Sequence, residues 1–300
     1  MPELEIKESI RVLLSEIIDY AGLFPPSALS MPEAVINYAA YKNSNYNWML
    51  GRFVVLVSRL DEFAGSAEDF FSRGEESWQL SVLASENIYE TVRQVEDFNA
   101  RYAPRAVCNT LEVKAETSLQ IEKIAEAVPP NLMTYVEIPL TGNLADLIST
   151  LAVKQRRAKI RTGGIVETAF PDVKQITRFM RLCLAANVPF KATAGLHHPL
   201  RCRRALTYEK DAAIGAMNGF LNVFLAAGFL RQGIGLKLIK ELLKDEEAEN
   251  FKFDKTGVCW RQEYFLSVAE LKMTREKGII SFGSCSFNEP LEDLEEIEIL

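Results

Sequence analysis

The feature that most constrains the fold is a regular alternation of short apolar runs with stretches of helical periodicity. Six runs rich in β-branched and aromatic residues are typical of strands: Arg52–Val57, Trp78–Leu83, Ala106–Val113, Met133–Ile138, Ala158–Arg161 and Pro189–Thr193. A shorter strand is expected from Asp19 to the Pro25-Pro26 loop, so strand centres recur roughly every 25 to 35 residues. Strand–helix units of this length in series predict a parallel sheet with its helices outside.

An eighth strand would close such a sheet into a barrel. Ile279–Ser284 is the best candidate, because this β-rich run precedes a short terminal helix expected from Pro290. The chain is therefore expected to form one (β/α)8 TIM-type barrel over residues 1–300, with an amphipathic N-terminal helix within Leu4–Ile18. An open doubly wound sheet is the main alternative. No Gly-x-Gly-x-x-Gly turn and no Gly-x-x-x-x-Gly-Lys-Ser/Thr loop follows any strand, so the barrel is favoured.

The interval before the last strand, residues 201–278, is expected to be an insertion within the barrel. Periodicity predicts helices over Asp211–Arg231 and Leu236–Lys244, a hairpin around Asp254–Gly257 and a third helix from Ser267. The first of these helices carries four apolar side chains at helical spacing: Leu221, Phe224, Leu225 and Phe229. That apolar face suggests an interface in a homo-oligomer.

Composition and charge argue against several classes of protein. Hydrophobic residues make up 48% of the chain and charged residues 25%, as in ordinary globular proteins. The formal net charge of −7, without a basic and aromatic face, argues against a nucleic-acid partner. The most apolar window, residues 219–230, is too short to span a bilayer, and no signal peptide is visible. Five scattered cysteines without Cys-x-x-Cys spacing indicate reduced thiols in a cytoplasmic protein.

Two lysines stand out because each lies near the end of an apolar strand, just before a Gly-containing turn. Lys159 is followed by Ile-Arg-Thr-Gly-Gly, and Lys191 by Ala-Thr-Ala-Gly-Leu-His-His. Burying an ammonium group costs free energy, so two lysines in matched positions indicate a site. Side chains alternate along a strand, which puts Lys159 and Arg161 on one face. Neighbouring strands lie about 5 Å apart, so the cationic groups are expected to converge inside the barrel.

Such convergence predicts a nucleophilic lysine. A lysine attacks only as the free amine, and its ordinary pKa is about 10.4. Burial and a neighbouring cation both lower that pKa, and a value near 7 requires about 3 units, or about 4 kcal/mol. Lys191 is the expected nucleophile or electrostatic catalyst, with Lys159 as the partner that lowers its pKa. The alternative is that the lysines bind an anion or pair with internal acids such as Glu137 and Glu112.

The turns after these strands predict an anion-binding site. Arg161 precedes one turn, and its guanidinium matches the geometry of oxyanions, while the glycines leave backbone N–H groups accessible. The last strand ends in small and hydroxyl residues, where many barrels bind phosphate. The predicted substrate-binding residues at these strand ends are Arg161, Thr162, Gly163, Gly164, Thr193, Gly195 and Ser284. A small anionic metabolite is the expected ligand.

Polar side chains at other strand ends complete the predicted site. Glu137 ends the fifth strand beside Lys159 and is expected to orient a lysine or accept a proton. His197 and His198 are the only histidines; His197 is the expected general acid or base and His198 a binding group. Asn109 is expected to supply a neutral donor from the fourth strand. No ligand spacing marks a metal site, and no cofactor is expected.

The run Phe190-Lys-Ala-Thr-Ala-Gly195 resembles the strand-end Lys-Thr-x-x-Gly sequence of the deoxyribose-phosphate aldolase group of class I aldolases. The resemblance covers some six to ten residues. It implies a (β/α)8 barrel with a Schiff-base lysine and a second lysine one strand away, matching Lys191 and Lys159. The order of small residues after Lys191 differs from that group. Together, the Asp19, Lys159, Lys191 and Phe282 segments are similar to a family of uncharacterised bacterial proteins, and this likeness implies no activity.

Three functional hypotheses follow from these residues. The leading one is a lyase or aldolase that uses a strand-end lysine on an anionic carbonyl or phosphorylated metabolite. The second is a metal-assisted lyase or isomerase, in which a histidine and carboxylates would be the ligands. The third is a barrel that binds an anion without catalysis. The pairing of two lysines favours the first hypothesis.

Overall fold

The computed structural model describes residues 6–71 and 77–300, which contain thirteen strands. These are β1 (Ile18–Tyr20), β2 (Leu50–Leu56), β3 (Trp78–Leu83), β4 (Ala106–Lys114), β5 (Met133–Glu137), β6 (Arg157–Arg161), β7 (Phe190–Thr193), β8 (Cys202–Ala205), β9 (Ile214–Met217), β10 (Phe251–Phe253), β11 (Gly257–Trp260), β12 (Tyr264–Ser267) and β13 (Ile279–Ser284). Strands β1 to β7 and β13 form a closed barrel in chain order, with β13 between β7 and β1. Every pairing in the barrel is parallel, which confirms the (β/α)8 prediction.

Helices alternate with the barrel strands and cover them from outside. The described residues form α1 (Glu8–Leu14), α2 (Met31–Lys42), α3 (Leu60–Ala67), α4 (Ile88–Tyr102), α5 (Ser118–Ala127), α6 (Leu144–Val153), α7 (Val173–Ala185), α8 (Phe220–Gln232), α9 (Leu236–Leu242), α10 (Val268–Lys277) and α11 (Asn288–Glu296). Several of these helices begin with a capping box. At α2 the Ser30 hydroxyl accepts a hydrogen bond from the Glu33 N–H, and the Glu33 carboxylate accepts one from the Ser30 N–H. No helix in this part of the chain is both long and apolar enough to cross a membrane.

The ends of the chain follow the sequence pattern with small shifts. The N-terminal helix α1 lies inside the predicted Leu4–Ile18 range, of which residues 4 and 5 lie outside the described part. The terminal helix α11 begins at Asn288, two residues before the predicted start, and Pro290 stands in its first turn. A proline is tolerated there because first-turn N–H groups have no partner within the helix.

The prediction of one helix over Asp211–Arg231 is wrong. Ile214–Met217 instead forms β9, which pairs antiparallel with Cys202–Ala205, and α8 begins only at Phe220. Tertiary packing decides the local structure here: a Cβ on Gly215 would stand 2.7 Å from the Leu206 side chain. The absence of a side chain at Gly215 gives the buried leucine room against this hairpin.

The remainder of the insertion agrees better with the sequence pattern. The expected hairpin around Asp254–Gly257 joins β10 to β11, and Asp254 binds the backbone of residues 256 and 257 in the turn. A third strand, β12, was not predicted and completes a small antiparallel sheet. The helix expected from Ser267 is α10, with Ser267 as its N-cap.

The predicted oligomer face of α8 is buried within the single chain. Leu221, Phe224, Leu225 and Phe229 have no more than 1% of their surface exposed. Phe220 and Phe224 pack on the ring of Phe282 in β13, with ring centroids 5.0 and 6.2 Å apart. This helix is apolar on all sides because it is enclosed on all sides, so the interface prediction for these side chains is wrong.

Candidate functional site

The two conspicuous lysines lie side by side within β6 and β7. Lys159 and Lys191 are register partners in this parallel pair, so their side chains leave the sheet on the same face. Both are buried, at 4% and 1% exposure. Their amines meet at one carboxylate: Glu112, from β4, contacts Lys191 Nζ through Oε1 and Lys159 Nζ through Oε2, each at 2.7 Å. The predicted convergence is thus present.

Acidic and basic groups alternate along a continuous row across the barrel interior. Asp19 Oδ2 lies 2.5 Å from Lys191 Nζ, and Glu112 connects Lys191 to Lys159. Lys159 Nζ lies 2.9 Å from Glu137 Oε2, and Arg161 Nε donates to Glu137 Oε1 at 3.0 Å. The row, called the charge row below, is Asp19, Lys191, Glu112, Lys159, Glu137 and Arg161. Its formal charges cancel, which makes so many buried ions tolerable.

The charge row changes the acidity of its members in a direction opposite to the one expected for Lys191. Burial would lower the pKa of Lys191, but the carboxylates of Asp19 and Glu112 outweigh it and raise that pKa above its usual range. Burial would raise the pKa of Glu112, yet Lys159 and Lys191 hold it well below its usual range. The pKa of Glu137 is also lowered, by Lys159 and Arg161 against the effect of burial. The resting state of Lys191 is therefore the ammonium.

Neighbouring side chains fix the inner end of the charge row. The Ser281 hydroxyl donates to Asp19 Oδ2 at 2.7 Å, and the Ser81 hydroxyl donates to Glu112 Oε1 at 2.6 Å. The backbone N–H of Arg52 donates to the other oxygen of Asp19 at 2.8 Å. Lys191 Nζ also lies 5.5 Å from the centre of the Tyr135 ring. Hydrogen bonds on both carboxylates lock the Lys191 ammonium in place.

A cavity of about 400 Å³ opens above the outer part of the charge row. Lys159, Glu112 and Arg161 line it, together with the turns after β6 and β7 and the loop after β1. Lys191 does not line this cavity, because its amine is enclosed by its two carboxylates and by Tyr135. Of the two lysines, Lys159 is the one whose side chain lines the cavity. A site at the carboxyl ends of the strands is the usual location in this fold.

The outer end of the charge row is less tightly satisfied than the inner end. Glu137 Oε2 is buried and accepts no aligned hydrogen bond from the described residues, although Lys159 Nζ is 2.9 Å away. Its other oxygen is held by Arg161, whose side chain is 46% exposed at the rim. Glu137 therefore keeps an acceptor lone pair next to the Lys159 amine.

The glycines after β6 and β7 serve the packing of two loops. A Cβ on Gly195 would stand 2.7 Å from the Cα of Gly163, and both glycines face the Phe170 ring. Gly195 also has φ of +70°, which favours glycine. The Thr162 hydroxyl donates to the Ala194 carbonyl at 2.6 Å and joins the same two loops. Gly163, Gly164, Gly195 and Thr193 line the cavity, whereas Thr162 is fully buried behind it.

The two histidines point to different partners on α11. His197 lines the cavity and its Nδ1 lies 2.9 Å from Glu289 Oε2, while His198 Nδ1 lies 2.5 Å from Asp293 Oδ2 and does not line the cavity. Burial would raise the pKa of Glu289, but His197 outweighs it and lowers the pKa. Across residues 6–71 and 77–300, no group of three or more His, Cys, Asp or Glu side chains is arranged to hold a metal ion.

Two further residues named from the sequence do not line the cavity. Asn109 accepts from Arg52 Nε at 3.0 Å and donates to Gln79, near the amino ends of the strands. Arg52 and Gln79 line a separate cavity at that end of the barrel, so Asn109 is on the wrong side for the predicted role. Ser284 is buried, and its hydroxyl accepts from the Ser286 N–H.

Sequence reasoning underestimated Asp19 and Glu112. Each stands between two apolar residues of a strand, and Asp19 lies 172 residues from the lysine it binds. The available signal was a carboxylate directly flanked by apolar side chains within a strand. A buried carboxylate requires a cation, and the two buried lysines were the natural partners.

A scan against protein-family models finds no match to this chain, and a search of curated proteins finds none either. The case for a function therefore depends on the barrel, a fold that commonly carries enzymes, and on the geometry of the charge row.

Proposed function

We propose that this barrel is an enzyme that forms a Schiff base between Lys159 and a carbonyl metabolite, with a lyase or aldolase type of reaction. One observation carries the proposal: Lys159 is the buried lysine that lines the cavity, while Lys191 is enclosed by Asp19 and Glu112. The roles first expected from the sequence are thereby exchanged. Lys191 becomes the fixed cation, and Lys159 becomes the nucleophile.

Free amine at Lys159 is produced by a proton transfer within the charge row. Because the pKa of Glu137 is lowered in the charge row, Glu137 Oε2, which is 2.9 Å from Lys159 Nζ, takes the ammonium proton only transiently, as the amine attacks the carbonyl carbon. The carbonyl oxygen takes up a proton to give a carbinolamine. Loss of water leaves an iminium ion, so the atoms and charges balance with a single water released.

The iminium then acts as the electron sink for cleavage of the neighbouring carbon–carbon bond. A base removes the proton of the β-hydroxyl, an aldehyde leaves, and the electron pair remains on the enzyme-bound fragment as an enamine. His197 lines the cavity and Glu137 contacts Lys159 Nζ at 2.9 Å, so these two groups are suited to move the protons. Protonation of the enamine carbon and addition of water release the second product and regenerate Lys159.

Lys191 acts in this scheme as a positioning residue. Its ammonium binds Glu112 Oε1 and leaves Oε2 of the same carboxylate facing Lys159. Arg161 stands at the rim with part of its guanidinium free of Glu137, and it is the group best suited to bind an anionic part of the substrate.

Borohydride reduction in the presence of aldehydes tests the proposal, because it converts an iminium into a stable secondary amine. The wild-type protein is expected to gain one adduct per chain, and peptide mass mapping should locate it at Lys159. Lys159→Met should abolish that adduct, while Lys174→Met, which removes an exposed lysine of α7, should not. An adduct on Lys191 would reverse the assignment. Absence of any site-specific adduct would support the non-catalytic anion-binding barrel instead.

A further inference from the structure

We infer that the carbonyl substrate of this site carries an apolar body, such as an aromatic ring or a branched alkyl chain, in place of the hydroxyl and phosphate groups of a sugar phosphate. This inference rests on the proposed function and specifies the chemical class of its substrate. It follows from the walls of the cavity above Lys159, whose charged side chains and histidine are few and are already paired.

Apolar side chains from three separate parts of the fold form most of the cavity wall. The loop after β1, strands β2 and β3, and the β8–β9 hairpin with residue 206 each contribute to it. The wall residues that carry the argument are Phe24, Pro25, Pro26, Leu83, Leu206 and Met217. An apolar ligand that displaces water from such a surface gains free energy in proportion to the area covered.

The polar side chains of the cavity leave little for a polyhydroxylated ligand. Lys159 and Glu112 are paired with each other, Arg161 is held by Glu137, and His197 is held by Glu289. A sugar would bring several hydroxyl groups into the site, and each would need a partner there to replace water. The arrangement instead suits one carbonyl at the lysine, the single β-hydroxyl that the cleavage requires, one anionic group at Arg161 and an apolar remainder.

The rim of the cavity is apolar as well. Ile165 and Val166, in the loop after β6, line the cavity and are 49% and 53% exposed. Ile214 on β9 is 61% exposed, and β9 packs against the same loop at residues 167–169. An empty apolar cavity of about 150 Å³ already accepts benzene, so about 400 Å³ is ample for one ring with a carbonyl side chain.

Trapping with three aldehydes of different character tests the inference. The probes are propanal, 3-phenylpropanal and glyceraldehyde 3-phosphate, each reduced with borohydride and counted as adduct at Lys159. At equal subsaturating concentration, 3-phenylpropanal is expected to label Lys159 about tenfold faster than propanal, after correction for labelling of Lys174. Faster labelling by glyceraldehyde 3-phosphate than by 3-phenylpropanal would overturn the inference and leave the proposed function standing. Absence of labelling by all three would overturn both.

Two methionine substitutions distinguish an effect of the apolar cavity wall from a general effect of replacing methionine by glutamine. Met217→Gln puts a polar amide into the cavity wall, whereas Met273→Gln changes a 44% exposed residue of α10 outside the cavity. Met217→Gln should bring the preference for 3-phenylpropanal over propanal close to unity while propanal still labels Lys159, and Met273→Gln should leave the preference unchanged. An unchanged preference in Met217→Gln would overturn the inference. If that variant does not fold, Val166→Gln at the exposed rim is expected to reduce the same preference, and an unchanged ratio there would overturn it equally.

Discussion

The inner end of the charge row makes a strong prediction for the variant Lys191→Met. The substitution removes the cation that lies 2.5 Å from Asp19 and 2.7 Å from Glu112, and it leaves both carboxylates buried. Removing one partner of a buried ion pair costs about 3–5 kcal/mol, and here one cation serves two anions. A loss of about 4 kcal/mol shifts the folding equilibrium by roughly a thousandfold. Urea denaturation at pH 7 measures this loss directly.

The pH dependence of that loss identifies its electrostatic origin. In the wild type the pKa of Lys191 is raised in the folded state, so its stabilisation is complete below about pH 10.4 and is lost only as the pH rises through the folded-state value. In Lys191→Met, Glu112 loses one of the two cations that lower its pKa, and it binds a proton at higher pH than in the wild type. The deficit relative to wild type should therefore narrow between pH 7 and pH 5 once that pKa lies above 5, by about 1.4 kcal/mol for each unit by which it exceeds 5.

Two controls make the experiment decisive. Lys174→Met removes an exposed lysine and should change the free energy of unfolding by less than about 0.5 kcal/mol. The double variant Asp19→Asn/Lys191→Met removes one uncompensated charge and should recover about 1–3 kcal/mol of the loss. A cost below about 1 kcal/mol for Lys191→Met, with the same deficit at pH 5 and pH 7, would refute the view that this lysine neutralises a buried pair of carboxylates.

Three further predictions follow from the same geometry. Glu137→Gln removes the acceptor beside Lys159 and should slow borohydride trapping of aldehydes at least about a hundredfold, and an unchanged rate would show that another group takes the proton. The lowered pKa values of Glu112 and Glu137 stabilise the fold above about pH 4.3, and this stabilisation is lost as the pH falls through the folded-state values. Urea melts should therefore give a smaller free energy of unfolding at pH 3 than at pH 6, and equal values would contradict the ion pairing. Gly195→Ala should destabilise the fold by clearly more than Gly142→Ala, for which about 1–2 kcal/mol is expected. Both glycines have positive φ, but only a Cβ on Gly195 would stand 2.7 Å from another backbone, so equal thermal shifts would argue against that close approach.

Much of the fold was predictable because its signals are local. The apolar runs at Trp78–Leu83 and Ala106–Val113 became strands at almost the same bounds, since β-branched residues flanked by turn residues leave few other choices. The β8–β9 hairpin was missed because its stability comes from pairing over a distance and from the fit of Leu206 on Gly215. Helical periodicity near residue 214 is weak evidence when a tertiary contact competes with it.

The candidate site, too, was predictable from the sequence only in part. The alternation of side chains along β6 and β7 was enough to predict that Lys159 and Lys191 share a face. The sign of the pKa shift at Lys191 was not predictable, because it depends on two carboxylates supplied by strands β1 and β4. An anion between two buried cations reverses the net pKa shift, and the sequence named possible acids without showing which of them reaches which lysine.

The most direct test of the account is a crystal structure of the protein after borohydride reduction with 3-phenylpropanal. We predict continuous electron density for the reduced adduct from Lys159 Nζ into the cavity lined by Met217, with Lys191 still bound to Asp19 and Glu112. Density joined to Lys191, or an unmodified Lys159 that remains ion-paired under conditions in which adduct forms elsewhere on the chain, would contradict it.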